Sequence, residues 1–230
     1  MGIKIAYDIE LESGENKHFE IELSSPGSFC MTKPEGTPPD WAKLDNHKCS
    51  VCPLNSEETP YCPVATNLAP YIEEYKDKKS YVDCNVKVTV EQRTYIKKTS
   101  LQDGLYSFFG IIFATSGCPI LDFLRPMARF HLPFSDIEET MVRSLGFYML
   151  KQYFKKKNGQ DVDFELKSFE TAYQNIIRVN KDFVERIWPV GTGDAESNSI
   201  IALDGFAQLL KMQLEDGLPD IEELFQEPES

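Results

Sequence analysis

The chain opens on a strict alternation of apolar and polar positions. In GIKIAYDIEL, Ile3, Ile5, Tyr7, Ile9 and Leu11 share one face, with Lys4, Asp8 and Glu10 on the other. SGENK supplies a turn, and HFEIEL resumes the pattern through Phe19, Ile21 and Leu23. A period of two with one wet face predicts an antiparallel β-hairpin. SSPGSFCMTKPEGTPPDW is rich in Pro, Gly and Ser and reads as an irregular connection. A helix is expected over residues 63–79. YVDCNVKVTVE is a further strand with Val82, Cys84, Val86, Val88 and Val90 inward, and RTYIKKTS either continues it or turns back as its partner.

From Ser100 the apolar period changes to that of a helix. Ser100 with Asp103, and Ser135 with Glu138, fit N-terminal capping pairs. Ile137, Met141, Leu145, Tyr148 and Gln152 form one stripe, closed by Asn158-Gly159. Leu166, Phe169, Tyr173, Ile176, Asn180, Phe183 and Ile187 form another, stopped by Pro189. VGTGDAESNS reads as a loop before a last helix carrying Ile200, Leu203, Leu210 and Leu214.

Strands before residue 100 and helices after it predict an α+β fold. Residues 1–99 are expected to hold a small antiparallel sheet with a Cys-rich, metal-binding insertion at about 41–79. Residues 100–216 are expected to form an α-helical bundle, and 217–230 an acidic flexible tail. Periodicity leaves open whether sheet and bundle are separate or share one core.

Composition narrows the classes. With 41% hydrophobic residues in 230, the chain can bury a core without disulfides or metal, so a metal here would be local reinforcement or function. The net charge of −13 repels a phosphate backbone and argues against nucleic acid as partner. The basic run KQYFKKKNG and the acidic C-terminal end read as solvated surface. The uncharged stretch Gly104 to Leu121 is broken by Gly117, Cys118 and Pro119, and reads as a buried helix and turn rather than a membrane span. No leader pattern precedes the first strand. A cytoplasmic protein is expected, and in that compartment clustered cysteines are metal ligands or catalysts more often than disulfides.

HKCSVCPLNSEETPYCP, residues 47–63, concentrates that chemistry. Cys49 and Cys52 have the C-x-x-C spacing of a turn that brings two sulfurs to one centre, and Cys62 returns nine intervening residues later. His47 is the candidate fourth ligand, with Cys118, Cys30 or solvent as alternatives. Three sulfurs and a nitrogen make a tetrahedral zinc set, so Zn2+ is the first expectation and an iron–sulfur cluster the alternative. Cys84 lies on the valine face of a strand and reads as core. A dithiol redox centre lacks its strand–CxxC–helix setting.

ATSGCPILDFLRPMARFHLPF, residues 114–134, carries the second set. Cys118 precedes a proline suited to a first helical turn, where a thiol of lowered pKa could act as nucleophile or ligand, with His131 as its base. Arg125 and Arg129 are four apart and are candidates to hold an anion. The bland alternative is a buried turn with the arginines paired to acids. No G-x-S-x-G, P-loop, G-x-G-x-x-G or H-E-x-x-H is present, so no reaction is assigned.

HKCSVCPL with YCPVATNL, then RTYIKKTS, then ATSGCPILDFLRPMARFHLPFSDIEET, resemble a family of uncharacterised bacterial proteins across roughly Trp41 to Phe154. The resemblance implies only that the cysteine segment and the TSGCP segment belong together. Two functions are carried forward. The first is a non-enzymatic regulatory or interaction protein, its zinc pinning the loop to the helices and its acidic surface meeting a protein partner. The alternative is a redox enzyme using an iron–sulfur cluster or Cys118.

Overall fold

A computed structural model of the protein describes residues 2–24, 31 and 34–226. The alternating segments form β1 (Ile3–Leu11), β2 (Asn16–Leu23), β3 (Asp83–Val90) and β4 (Arg93–Ser100). They build one antiparallel sheet in the order β2-β1-β3-β4, so RTYIKKTS turns back as a partner. Its register places Ile5 between Ile21 and Val90, and Tyr7 between Phe19 and Val88. Each inward row is therefore apolar, while the outward rows carry pairs such as Lys4–Glu20 at 2.8 Å. Inward and outward rows must alternate, because a slip of one residue would turn every isoleucine to water.

The helices are α1 (Pro63–Tyr75), α2 (Leu101–Thr115), α3 (Arg125–Arg129), α4 (Ile137–Lys157), α5 (Lys167–Ile187), α6 (Ala195–Glu215) and α7 (Pro219–Glu223). Short 3-10 turns lie at Asp40–Ala42 and Leu121–Leu124. The fold is α+β, a four-stranded sheet followed by helices. The middle layer is α2, with the sheet on one side and α6 on the other; α5 packs in turn on α6. This position explains why α2 is apolar nearly all round, with Phe108, Phe109 and Ile112 fully enclosed. Helix and sheet touch at Gly104, where a Cβ would lie 2.8 Å from Val86 Cγ2. Buried residues from sheet and helices form one contiguous core.

The uncharged stretch is α2 followed by a turn at Gly117, φ 85°. Among the described residues, no helix is long and apolar enough to cross a membrane.

Several boundaries differ from the sequence pattern. Asp136, not Ser135, caps α4: its Oδ1 accepts from Glu139 N at 2.8 Å, while Glu139 Oε2 accepts from Asp136 N at 3.1 Å. Ser135 instead packs inside, its carbonyl accepting the Tyr106 hydroxyl at 3.0 Å. The first helix stops at Tyr75 rather than running to Lys79. The last long helix starts at Ala195, within the segment expected to be loop. Its start is set by tertiary contact: Asp194 Oδ1 accepts from Ser80 N at 2.7 Å, and Gly193 N donates to Lys76 O at 2.6 Å. Beyond Gly217 the chain does not fray at once, because α7 buries Ile221; residues 227–230 lie outside the described residues.

Glu196, in the first turn of α6, is buried with Oε1 unpartnered. Burial raises its carboxyl to about 7. The folded state thus favours the protonated form, and the unfolded chain ionises first as pH rises. Stability is fully present below the usual carboxylate range and is lost between there and about pH 7. Glu196→Gln is expected to raise the melting temperature at pH 8 and leave it unchanged in acid. Thermal melts of both proteins across pH check this; a variant destabilised at pH 8 contradicts it.

Candidate metal centre

Two Cys-Pro steps open two helical turns. Cys62 is the N-cap of α1 with Pro63 at the first position, and Cys118-Pro119 leads into the turn at Leu121–Leu124. Proline suits that place, since a first-turn N–H has no helical partner to lose. In both, the backbone N–H groups two and three residues on (Val64 and Ala65 after Cys62, Ile120 and Leu121 after Cys118) oppose the effect of burial on the sulfur, without a cap hydrogen bond at Cys62. Cys49 and Cys52 occupy a tight turn closed by Cys52 N donating to Cys49 O at 3.0 Å. Asn67, 1% exposed, ties the two Cys-Pro steps together. Its Nδ2 donates to Pro63 O at 2.8 Å and to Ser116 O at 3.2 Å.

The four cysteines lie close enough for charge on one to act on another. Charge on Cys62 or Cys118 raises Cys49, charge on Cys52 raises Cys62, and charge on Cys62 or Cys52 raises Cys118. Such coupling requires neighbours within a short range.

Helix α5 fastens the loop that carries Cys49 and Cys52. Arg186, 2% exposed, donates from Nη1 to the carbonyls of Trp41 (2.9 Å) and Lys43 (2.7 Å). Its Nη2 donates to those of Leu44 (3.2 Å) and His47 (2.8 Å). One turn back, Asp182 Oδ2 accepts from Ser50 N at 2.6 Å and from Ser50 Oγ at 2.9 Å. The Arg186 charge also opposes the rise in Cys49 and Cys62. Sequence reasoning missed both residues. The available signal was Arg186 beside Phe183 and Ile187 on the buried stripe, where an arginine must find acceptors.

His47 is exposed, with φ 61°, and its Nε2 lies 2.8 Å from Glu185 Oε2. It is thus engaged with α5, whereas Cys118 shares the region of the three sulfurs. Cys84 is core, as expected, with Sγ 3.5 Å from Thr99 O; Cys30 lies outside the described residues.

Burial dominates thiol acidity. It pushes Cys49 to about 12 and Cys118 to about 11, and raises Cys62 as well. The expectation of a lowered pKa at Cys118 is corrected: desolvation outweighs the two N–H bonds. At neutral pH the thiol is protonated and a poor nucleophile. His131 is engaged elsewhere. Its Nε2 lies 2.7 Å from Tyr7 Oη, burial lowers the ring to about 3, and no hydrogen bond joins it to Cys118 among the described residues.

The two arginines named from the sequence also separate. Arg125 Nη2 pairs with Asp122 Oδ2 at 3.1 Å, while Arg129 lies over the Phe130 ring, 5.3 Å from its centroid. Pro126 confines them to the ends of a five-residue helix rather than to one long face.

As the side chains stand, no group of three or more His, Cys, Asp or Glu among the described residues is gathered tightly enough to hold a metal ion. The model of a family described as a domain of unknown function, DUF6901, matches residues 5–226. No curated protein and no solved structure matches the chain.

Proposed function

The chain belongs to the DUF6901 family, and from its own residues we propose that it is a metal-centre protein whose four ligands are Cys49, Cys52, Cys62 and Cys118. The observation that supports this reading is the charge coupling between one C-x-x-C turn and two Cys-Pro helix starts, with a clamp from α5 on the loop that carries the turn. Four cysteines whose charges interact, Cys62 buried and Cys49, Cys52 and Cys118 half-buried, with backbone N–H groups near two of the sulfurs, suit a centre that needs thiolates.

The occupant we favour is an iron–sulfur cluster. Tetrahedral zinc at about 2.3 Å per sulfur draws its ligands to roughly 3.8 Å from one another. A cluster has a larger body and accepts more widely spread sulfurs. Hydrogen bonds to the sulfurs and partial burial are also the levers that set a cluster's potential. Zinc is the second reading, favoured by the all-thiolate set, which leaves no ligand position for substrate.

The centre's first role in this reading is to staple the 41–62 segment to the helices, in a reducing compartment. Nucleophile-and-base chemistry is not supported, because Cys118 is protonated and His131 is engaged with Tyr7. A protein-interaction role is supported by Leu150, Tyr153 and Phe154, exposed on α4 among its lysines.

The test is anaerobic purification without a metal-binding tag, followed by an absorption spectrum and quantification of iron, sulfide and zinc per chain. Iron with sulfide and visible colour supports the cluster, and one zinc with no colour supports the second reading. Cys62→Ser and Cys118→Ser are each expected to lose the metal. A folded chain with neither metal, and all thiols titratable, overturns both.

A further inference from the structure

Away from the cysteines, two concavities meet at the segment after α3. The first is a cleft of about 470 Å³ between that segment and the sheet, where β3 turns into β4. Arg93, Arg129 and Arg143, three of the chain's six arginines, line it, with Tyr95 beside them. Among the described residues, none of the three makes an ion pair. In a chain with 37 acids this is unusual; Glu91 is the one carboxylate in the cleft's wall, and Glu139 bears on Arg143 from a distance.

Arg143 is held in place rather than free to swing. Its Nη2 donates to Met127 O at 3.1 Å and to Phe130 O at 2.7 Å. Arg129 is steadied by its contact with the Phe130 ring. Fixed guanidinium groups with unused N–H donors match the paired oxygens of a carboxylate or phosphate.

The second concavity is a cavity of about 140 Å³ inside the helical layer, walled by Ile111, Phe113, Met127, Leu203 and Leu210 among others. A cavity of that size takes an apolar group about as large as a benzene ring. His131, Leu132 and Arg143 belong to the walls of both. Few side chains thus stand between a cationic cleft and an apolar chamber. Ligand sites have this composition, mostly apolar with a few convergent polar groups.

We propose that this pair of concavities binds a small single-tailed amphiphilic anion, its carboxylate or phosphate head on Arg93, Arg129 and Arg143 and its apolar body past Leu132 into the helical cavity. Head and tail each have a separate test. Isothermal titration with octanoate, octyl phosphate, acetate and octanol compares them on the full chain. Octanoate or octyl phosphate is expected to bind, the better of the two identifying the head, with acetate and octanol weaker by about tenfold or more.

Arg129→Gln is expected to weaken the better ligand by about tenfold while the unliganded protein melts as before, since Arg129 makes no ion pair among the described residues. Ala207→Phe, which fills the cavity wall, is expected to remove tail binding. If that variant does not fold, the Arg129→Gln comparison and the octanoate-to-acetate ratio still decide. Absence of binding by both eight-carbon anions overturns the proposal. So does binding that Arg129→Gln leaves unchanged, or octanol binding as tightly as octanoate.

Discussion

Arg186→Met is expected to lower the stability of the protein by about 3–5 kcal/mol and to release the 41–47 loop from α5. One guanidinium serves four backbone carbonyls, those of Trp41, Lys43, Leu44 and His47. Among the described residues, Lys43 O alone of the four has a second backbone donor, Asn46 N at 3.1 Å, so the arginine acts as the loop's hydrogen-bonding frame. Methionine fills most of the volume and strands the oxygens of Trp41, Leu44 and His47, while Lys43 O keeps Asn46 N, and each stranded buried acceptor costs about 1–3 kcal/mol where water cannot reach it. Arg186→Lys is expected to recover only part of the loss, because one ammonium cannot span four acceptors set out for a planar fork. Denaturant unfolding gives the energy, and hydrogen exchange in residues 41–50 gives the place. A lysine variant as stable as the parent would sink the frame argument.

Metal affinity at the cysteine centre is expected to climb steeply with pH. Burial raises Cys49 to about 12 and Cys118 to about 11, and raises Cys62 too. At neutral pH the metal-free protein therefore holds protons on these three sulfurs. Each must leave when a thiolate bond forms, so loading releases at least three protons below those pKa values. The apparent binding constant should rise by roughly a thousandfold per pH unit, one power of ten for each proton. With Zn2+ as the probe metal, competition against a chelator of known pH dependence at pH 6, 7 and 8 measures the slope. A slope near one would mean that the sulfurs are already ionised, or that only one of them binds.

The elements were legible where they rest on local pattern. β1, β2 and β3 came straight from alternation, and the buried faces of α4 and α5 from their apolar stripes, because burial of one face leaves a periodic trace. The start of α6 was not legible, since it depends on Asp194 reaching Ser80 across more than a hundred residues of chain. The cap of α4 was misplaced by one residue because Ser135 and Asp136 both satisfy the local rule, and only packing against Tyr106 separates them.

The candidate site divides the same way. The C-x-x-C spacing and the two Cys-Pro steps are local and stood out. That Cys118 lies with Cys49 and Cys52, that His47 turns to Glu185, and that Arg186 holds the loop are facts of tertiary placement. The acidity of Cys118 was misjudged for a related reason: a helix start is visible in sequence, and the depth at which it is buried is not. Arg93 and Arg143 went unnoticed because β4 and α4 contribute one each, with no shared motif.

The clamp has a consequence for how the protein is made. All four sulfurs leave the ribosome by Cys118, but Asp182 and Arg186 follow only once α5 has been synthesised. Chains fold as they emerge, N-terminal parts first. The nascent chain therefore presents a complete set of thiols before it owns the helix that fastens their loop. Cofactor delivery during translation would meet a loose, accessible quartet, and the arrival of α5 would close the door behind it.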